Sequence, residues 1–305
     1  MEQDRVTEEP LAPLIFGEVL YDLFPDGIAV PGGAPFNVAW HLRGFGLAPL
    51  FVSRVGEDEL GERMLGAMTA WGMDIRGVQR DPEHPTGRVQ VSFRDGEPHF
   101  DILADQAYDF IDRDAVSGLL REKRYGLSYH GSLIARHAAA RAALDEVRAH
   151  GLPLFVDVNL RDPWWRGGWL GEALDTARWA KLNARELQVL SPDRQGAEDL
   201  AARGEVLRRR HDLEVLVVTL GDAGALVLAE GERIVTRPGP VVDLVDTVGA
   251  GDAFSAVTIV GLLEDWPLEI LAQRAVDFAA AICRLRGATG RDPNLYQSYL
   301  RKWRE

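Results

Sequence analysis

The sequence predicts an α/β fold in which a doubly wound, mostly parallel central sheet is flanked by helices. From Leu127 onward, short apolar runs alternate with helical segments, as in successive βαβ units. Of the 305 residues, 46% are hydrophobic and 27% are charged, which is typical of a globular protein with a large core. Two hairpin-like segments, Tyr21 to Pro31 and Thr86 to Leu103, break the alternation. We therefore expect a small β-structure that projects from the main sheet.

The N-terminal part of the chain predicts strands and helices around these hairpins. Glu57 to Trp71 is a helix with Leu60, Met64 and Met68 on one face. Arg94-Asp95-Gly96-Glu97 is typical of a hairpin turn. The predicted elements are the strand Leu14 to Leu20, a loop or short edge hairpin at Tyr21 to Pro31, the helix Phe36 to Phe45, the strand Leu50 to Val55, the helix Glu57 to Trp71, and the hairpin strands Thr86 to Phe93 and Pro98 to Leu103.

The C-terminal part contains the alternation that defines the fold class. Its predicted strands are Leu127 to His130, Leu154 to Val158, Trp179 to Leu182, Val215 to Leu220, and the hairpin pair Gly224 to Ala229 and Arg233 to Thr236. Its predicted helices are Ala135 to Ala149, Leu170 to Thr176, Ala184 to Leu190, Gly196 to Arg210, Gly251 to Leu263, Pro267 to Leu285, and Asn294 to Trp303.

Composition limits the possible partners and compartment. The formal net charge of −13 disfavours binding to nucleic acid or to an anionic membrane. Cys283 is the only cysteine, which excludes an internal disulfide and favours a reducing compartment. Met1 to Ala12 lacks the basic start and apolar centre of a signal peptide, and no run reaches the ~18 apolar residues of a membrane span. We expect a cytoplasmic protein with a flexible tail at residues 1–13.

One glycine-rich stretch, Asp246 to Phe254, suggests a site for phosphate. It follows the apolar run Val241 to Val245, a strand or loop, and leads into a predicted helix. Gly249-Ala250-Gly251 lets backbone N–H groups approach a ligand, and the helix N-terminus adds partial positive charge. Asp252 lies where an anion would bind, so we infer that it is a general base for a hydroxyl that attacks the phosphate. Taken alone, Gly249 to Asp252 fits a plain helix-capping turn equally well.

The common nucleotide-binding fingerprints are absent from the sequence: it contains neither a GxxxxGK[ST] P-loop nor a GxGxxG motif. Instead, Asp246 to Phe254 resembles the C-terminal signature of ribokinase-like (PfkB-type) sugar kinases. Gly32-Gly33-Ala34-Pro35-Phe36-Asn37-Val38-Ala39 resembles their N-terminal signature. Similar segments are Val55 to Gly61, Lys181 to Leu187, Thr219 to Gly224 and Cys283 to Ala288. The resemblance covers Leu14 to about Pro293 and is greatest to fructokinases, through Gly17 to Pro25 and Gly32 to Pro35.

The resemblance implies one ribokinase-like kinase domain, residues 14–305, whose small sheet is a lid formed by about 21–31 and 86–104. The implied reaction is phosphoryl transfer from ATP, with Mg²⁺, to a sugar hydroxyl. Asp252 would be the base, and the amides of Gly249, Ala250 and Gly251 would form an anion hole. The implied sugar-binding residues are Asp22, Gly32, Gly33, Asn37 and Arg161. Without the resemblance, Asp22 and the two glycines fit solvated turns, and Arg161 fits an ordinary surface arginine.

The nucleotide and metal sites are implied in the same way. Asn183, Thr219, Gly221 and Gly224, together with Gly251, would bind the nucleotide. Asn183 and Glu186 would organise Mg²⁺ through water, although Asn-x-x-Glu is also typical of a capping box. Thr219 to Gly224 also fits an ordinary tight turn. Asp246 and the Val248 carbonyl are the local candidates for a monovalent cation such as K⁺. Val276 stands where many relatives have an asparagine beside the adenine, which leaves the adenine contact open.

The resemblance leaves several substrates open. Fructose is the first choice. 2-Keto-3-deoxygluconate would require Arg161 and a basic residue on the lid, where Arg88 and Arg94 are the candidates. A nucleoside is a further choice. A non-catalytic sugar-binding protein is the alternative from another class, but it would be expected to lose the base or the anion hole, and both are present here. A homodimer through the lid is also implied.

Overall fold

The protein was examined as a computed structural model, which describes residues 11–94, 97–165, 167–191, 199–239 and 243–304. Its strands are β1 (Leu14–Phe16), β2 (Leu20–Leu23), β3 (Ala29–Gly32), β4 (Leu50–Gly56), β5 (Val78–Asp81), β6 (Gly87–Arg94), β7 (Glu97–Ile102), β8 (Ser128–Gly131), β9 (Leu154–Asp157), β10 (Trp179–Asn183), β11 (Val215–Thr219), β12 (Ala225–Ala229) and β13 (Glu232–Thr236). Its α-helices are α1 (Ala34–Gly44), α2 (Glu59–Ala70), α3 (Arg113–Glu122), α4 (Ala138–Ala149), α5 (Gly167–Asp175), α6 (Ala184–Leu190), α7 (Leu200–Arg210), α8 (Ala250–Leu263), α9 (Leu268–Ile282) and α10 (Pro293–Arg304).

The larger sheet has the order β13-β12-β11-β10-β9-β8-β1-β4-β5. All neighbouring strands from β11 to β5 run parallel, whereas β12 and β13 are antiparallel to their neighbours. From β1 the chain moves in one direction to β4 and β5, and later returns to β8 and moves in the other. The strand order therefore reverses beside β1, and α/β proteins bind ligands at the carboxyl ends of the strands at such a point. The predicted doubly wound, mostly parallel sheet is confirmed.

A second sheet has the order β3-β2-β6-β7. β2 pairs antiparallel with β3 and parallel with β6, and β6 pairs antiparallel with β7. It contains most of the residues proposed as a lid, a role that stays a prediction. The single strand predicted for Leu14 to Leu20 is wrong, because the chain leaves one sheet after Phe16 and enters the other at Leu20. Gly17 lies between them, where any Cβ would overlap the ring of Pro35 at the start of α1.

Other differences from the predicted elements have local causes. β5 and α3 were not predicted, although Val116 and Leu120, the buried residues of α3, have the i, i+4 spacing of an amphipathic helix. The helix predicted to begin at Ala135 begins at Ala138, after His137 caps its first turn. The helix predicted for Pro267 to Leu285 ends at Ile282. Three predicted segments lie partly outside the described residues: residues 1–10 of the tail, residues 196–198 of the helix predicted to end at Arg210, and residues 241–242 of the apolar run. The rest of that run and the two residues after it, 243–247, form no strand.

The hydrophobic core lies on both faces of the larger sheet, because successive residues of a strand point to opposite faces. In β1, Leu14 and Phe16 pack on one face and Ile15 packs on the other. The helix α8 is buried along most of its length between the sheet and α1 and α9, and Val257, within it, is fully buried. Its N-terminus is thereby fixed at the carboxyl ends of the strands. No helix in the described part of the chain is long and apolar enough to cross a membrane.

Candidate active site

A cleft of about 950 Å³ lies between the two sheets at the end of β1. It is lined by most of the residues that the sequence predicted for a site: Asp22, Gly32, Gly33, Asn37, Arg161, Asn183, Glu186, Thr219, Asp246, Val248, Gly249, Gly251 and Asp252. Ala250, in the first turn of α8, and Gly221 and Gly224, in the turn after β11, are not among these lining residues. The tertiary structure therefore gathers residues from both ends of the chain into one cavity.

The turn before α8 requires glycine at position 249. Gly249 has a φ of 81°, in the left-handed region that favours glycine. A Cβ at this position would also lie 2.5 Å from the Cα of Ala288. The Ala250 N–H donates weakly to the Thr247 carbonyl at 3.3 Å, whereas within the described residues no acceptor is found for the N–H groups of Gly249 and Gly251. The turn thus presents free backbone donors at a helix N-terminus, where anions bind.

Asp252 lies in the first turn of α8 and is held by a residue from the other end of the chain. The Asn37 amide Nδ2 donates to Asp252 Oδ2 at 2.7 Å. Burial raises the pKa of Asp252 to about 6, while the hydrogen bond from Asn37 and the positive charges of Lys181 and Arg161 act in the opposite direction. The carboxylate is therefore oriented, and its pKa is close enough to neutral pH for a general base.

A buried ion pair beneath the turn was missed by the sequence reasoning. Lys181 Nζ lies 2.7 Å from Asp157 Oδ2, and the two side chains are 7% and 1% exposed. Asp157 Oδ2 also accepts hydrogen bonds from Tyr129 at 3.1 Å and Ser255 at 2.9 Å. A Cβ on Gly251 would lie 3.5 Å from Lys181 Nζ, so this cation adjoins the anion-binding turn. The available signal was a lysine within a strand whose neighbours are apolar.

The wall on the side of the small sheet carries carboxyl groups around two consecutive glycines. A Cβ on Gly32 would lie 3.2 Å from Asp22 Oδ2, and a Cβ on Gly33 would lie 2.6 Å from the Glu18 carbonyl oxygen. Burial raises the pKa of Asp22 to about 6, against the effect of the Arg161 charge. Glu18 also lines the cleft and is only 3% exposed. Sequence reasoning quoted Glu18 within a motif but gave it no role.

Asn183 and Glu186 form a capping box at the start of α6. Asn183 Oδ1 accepts from the Glu186 N–H at 2.9 Å, and Glu186 Oε2 accepts from the Asn183 N–H at 2.8 Å. Glu186 Oε1 accepts from the Leu160 N–H at 2.7 Å, and burial raises the pKa of this carboxyl. Each Glu186 oxygen has one backbone donor and keeps a lone pair, so it can accept from a water bound to Mg²⁺.

Thr219, Asp246 and Val248, predicted for the nucleotide and for a monovalent cation, also line the cleft. Thr219 lines the cavity, whereas Gly224, with a φ of 96°, packs against the Thr236 carbonyl. Asp246 Oδ1 accepts from the Val248 N–H at 3.0 Å, and its Oδ2 accepts from the Gly287 N–H at 3.2 Å. Asp246 therefore joins two turns, and its oxygens retain lone pairs for a cation. The described residues contain no group of three or more His, Cys, Asp or Glu that could hold a metal ion.

Val276, which the sequence placed near the adenine, is buried in the core and only 5% exposed. It lies on α9, packed with the aromatic and aliphatic residues behind α8. An adenine in the cleft would therefore need other contacts than this side chain.

The chain is similar to known proteins. A family model described as pfkB family carbohydrate kinase matches residues 24–295. A fructokinase of Escherichia coli is 30% identical over 264 residues, which cover 81% of this chain and 83% of that protein.

Solved structures share the fold. The structure of a sugar kinase from Pyrococcus horikoshii in complex with ATP is 25% identical, with a TM-score of 0.75, and the match covers 95% of this chain and 99% of that one. A double mutant of fructokinase from Vibrio cholerae O395, with fructose, ADP and potassium ion bound, has a TM-score of 0.79 at 24% identity, again over 95% and 99% of the two chains. At that identity the second likeness shows the fold alone.

Proposed function

Because the chain belongs to the pfkB family of carbohydrate kinases, which transfer a phosphoryl group from ATP to a sugar hydroxyl, we propose that it phosphorylates fructose with Asp252 as the general base. The observation that carries the proposal is the 2.7 Å hydrogen bond from Asn37 to Asp252. This bond supports the proposal, because it holds the Asp252 carboxylate between the Gly32-Gly33 wall of the cleft and the free amides of the α8 turn. A hydroxyl bound between them lies beside both a base and an anion site.

In the proposed reaction the sugar hydroxyl oxygen attacks the γ-phosphorus of ATP. A new O–P bond forms, and the bond from the γ-phosphorus to the bridging oxygen breaks, leaving its electron pair on ADP. The hydroxyl proton passes to Asp252, whose carboxylate is oriented by Asn37. The N–H groups of Gly249 and Gly251, with Ala250, stabilise the charge on the equatorial oxygens. Lys181, held by Asp157, supplies positive charge behind them.

The nucleotide would occupy the side of the cleft that Asn183 and Thr219 line. Gly221 and Gly224 belong to the turn that follows Thr219 and shape its backbone. Mg²⁺, bound with ATP and held through water by Asn183 and Glu186, would neutralise charge on the β- and γ-phosphates.

The charge of the cleft wall on the side of the small sheet supports a neutral sugar as substrate over a keto-acid. Arg161 is one cation that faces three carboxyl groups, since its charge lowers the pKa of Glu18, Asp22 and Asp252. Arg88, a candidate for binding a substrate carboxylate, instead pairs with Asp58 at 3.2 Å. At this wall a negatively charged 2-keto-3-deoxygluconate would share Arg161 with three carboxyl groups, whereas Arg286 and Arg291 are the other arginines that line the cleft. This supports fructose, with the keto-acid and a nucleoside as alternatives.

A panel of fructose, ribose, 2-keto-3-deoxygluconate and nucleosides with ATP and Mg²⁺, compared by kcat/KM, tests the substrate. We expect the highest kcat/KM with fructose. A higher value with the keto-acid or a nucleoside would replace fructose as the substrate. Turnover of none of these compounds by the wild-type enzyme would contradict the proposed function.

Two further features of the enzyme are proposed with the function. We propose that a monovalent cation binds between the turns that Asp246 joins, with the Val248 carbonyl as a second ligand. Activity with potassium chloride should then exceed activity with tetramethylammonium chloride at equal ionic strength. We also propose a homodimer through the small sheet, whose apolar side chains Ile28 and Phe100 line the cleft and are still 48% and 45% exposed. Light scattering after gel filtration should give twice the chain mass, and a single-chain mass would contradict it.

A further inference from the structure

Glu18 carries a buried carboxyl group in the cleft wall, and it has no part in the proposed base, anion hole or metal site. It follows β1 directly and is 3% exposed, yet it forms part of the cleft wall. Its oxygen Oε2 is buried and accepts no hydrogen bond from any described residue. A buried oxygen without a donor costs roughly 1–3 kcal/mol, so such a group is expected where a ligand supplies the missing bond.

Two close backbone contacts fix the position of Glu18. Gly17, before it, packs against Pro35 so closely that any Cβ would overlap the proline ring. Gly33 packs on the Glu18 carbonyl oxygen, and a Cβ there would lie 2.6 Å from it. Both contacts press Glu18 against the N-terminus of α1, the helix that also carries Asn37. The backbone from which the carboxyl group extends is therefore fixed relative to α1.

The charges around Glu18 indicate which ligand it suits. Burial raises the pKa of Glu18 to about 7, the charge of Asp252 raises it further, and Arg161 and the Ala34 N–H oppose this. An anionic ligand would be repelled by Asp22 and Asp252 on the same wall. A neutral hydroxyl can donate to an ionised carboxylate and accept from a protonated one, so it satisfies Oε2 in either state.

Building on the proposed function, we propose that Glu18 determines sugar specificity by binding a non-reacting hydroxyl of the substrate through its carboxyl group, beside the hydroxyl that Asp252 activates. The ligand class is a neutral polyol with more than one hydroxyl on the bound face. A site built to hydrogen-bond a hydroxyl discriminates strongly against the analogue that lacks it, because the carboxyl oxygen is then left unpaired.

The test compares wild-type enzyme and Glu18→Gln on fructose and on a set of its monodeoxy analogues, each lacking one non-reacting hydroxyl. Glutamine keeps the size of the side chain but removes its charge. For fructose we expect kcat/KM to fall about 10-fold, because the glutamine oxygen can still accept from the hydroxyl but the bond is no longer to a charged group. For the analogue that lacks the contacted hydroxyl, we expect the two enzymes to agree within about 3-fold. The KM for ATP should not change.

The surface variant Glu57→Gln is the matched control, because it makes the same chemical change at an exposed position. An equal loss on fructose and on every analogue would overturn the inference and leave Glu18 with a structural role. If Glu18→Gln shows no cooperative unfolding transition, Glu18→Asp takes its place, because aspartate keeps the charge but has a shorter side chain. The same loss, selective for substrates that carry the contacted hydroxyl, is then expected. An equal loss on fructose and on every analogue overturns the inference. Fructose turnover by the wild-type enzyme decides the proposed function separately.

Discussion

Asn37 and Asp252 are 215 positions apart in the chain, and their side chains form a 2.7 Å hydrogen bond. The bond joins the first turn of α1 to the first turn of α8. Loss of this bond should raise the pKa of Asp252, since the donated N–H stabilises the charged carboxylate.

Asn37→Ala therefore tests how the base is tuned. The variant should shift the acidic limb of the kcat/KM profile to a pH above that of the wild-type enzyme, because the base must be ionised to act. Its kcat should also fall on the plateau, since the carboxylate is no longer oriented. The measurement is kcat/KM for the sugar between about pH 5 and 9, with exposed Asn294→Ala as control. An unshifted acidic limb would show that Asn37 does not tune the base.

Asp252→Asn should lower kcat by about 10²- to 10⁴-fold, the range for removing a general base. Asparagine keeps the size of the side chain, so the KM values for sugar and ATP should change far less than kcat. Asp265→Asn is a suitable control, because Asp265 is exposed and has a φ of 52°, which asparagine tolerates. Wild-type kcat in Asp252→Asn would rule out the assignment of the base.

The stability of the protein should depend on the ionisation of Asp252. Its pKa is about 6 in the folded protein, above the ordinary 3.8, so the folded state holds this proton more tightly than the unfolded chain. Stability is therefore lost as pH rises from about 4 to above 6. Asp252→Asn removes this loss of stability, which amounts to up to ~3 kcal/mol because each unit of raised pKa corresponds to ~1.4 kcal/mol. Urea unfolding should show the advantage of the variant growing between these pH values; an advantage independent of pH would contradict the assigned cause.

Lys181 should contribute to both stability and catalysis. Lys181→Met leaves Asp157 buried without its cation, so the free energy of unfolding should fall by about 3–5 kcal/mol. The double variant Asp157→Asn, Lys181→Met removes both charges and should recover much of that loss. Its kcat should stay low, because the positive charge beside Gly251 is still absent. Recovery of kcat together with stability would show that the pair has a structural role only.

Gly249→Ala should reduce stability and activity together. The new Cβ would meet Ala288 at 2.5 Å in a backbone that already has a φ of 81°. Gly46 is the matched control, since its φ is 91° but nothing lies within 4 Å of its Cβ position. Gly46→Ala should therefore cost only the backbone strain, about 1 kcal/mol. Equal losses of unfolding free energy in the two variants would mean that the Ala288 contact is unimportant.

Local pattern was sufficient to predict most helices and strands of this chain. The residues of α6, Ala184 to Leu190, were predicted without error, because its capping box and apolar face are local features. Two helix boundaries were missed although their causes are local: His137 caps α4 through the Ala139 N–H, and α9 ends at Ile282 with Cys283 as its C-cap. The division of Leu14 to Leu20 between two sheets was not predictable, since it depends on the contact between Gly17 and Pro35, which are distant in sequence.

By itself, the sequence determined the fold class, the glycine turn before α8 and the acidic residue that follows it, because each depends on residues adjacent in the chain. Only the tertiary structure decided which distant side chains meet that residue. Asn37 reaches Asp252 from another helix, Lys181 becomes a buried cation through Asp157, and Glu18 becomes a buried carboxyl with a free oxygen. Burial and charge coupling arise between segments far apart in the chain, so the pattern of one segment does not contain them.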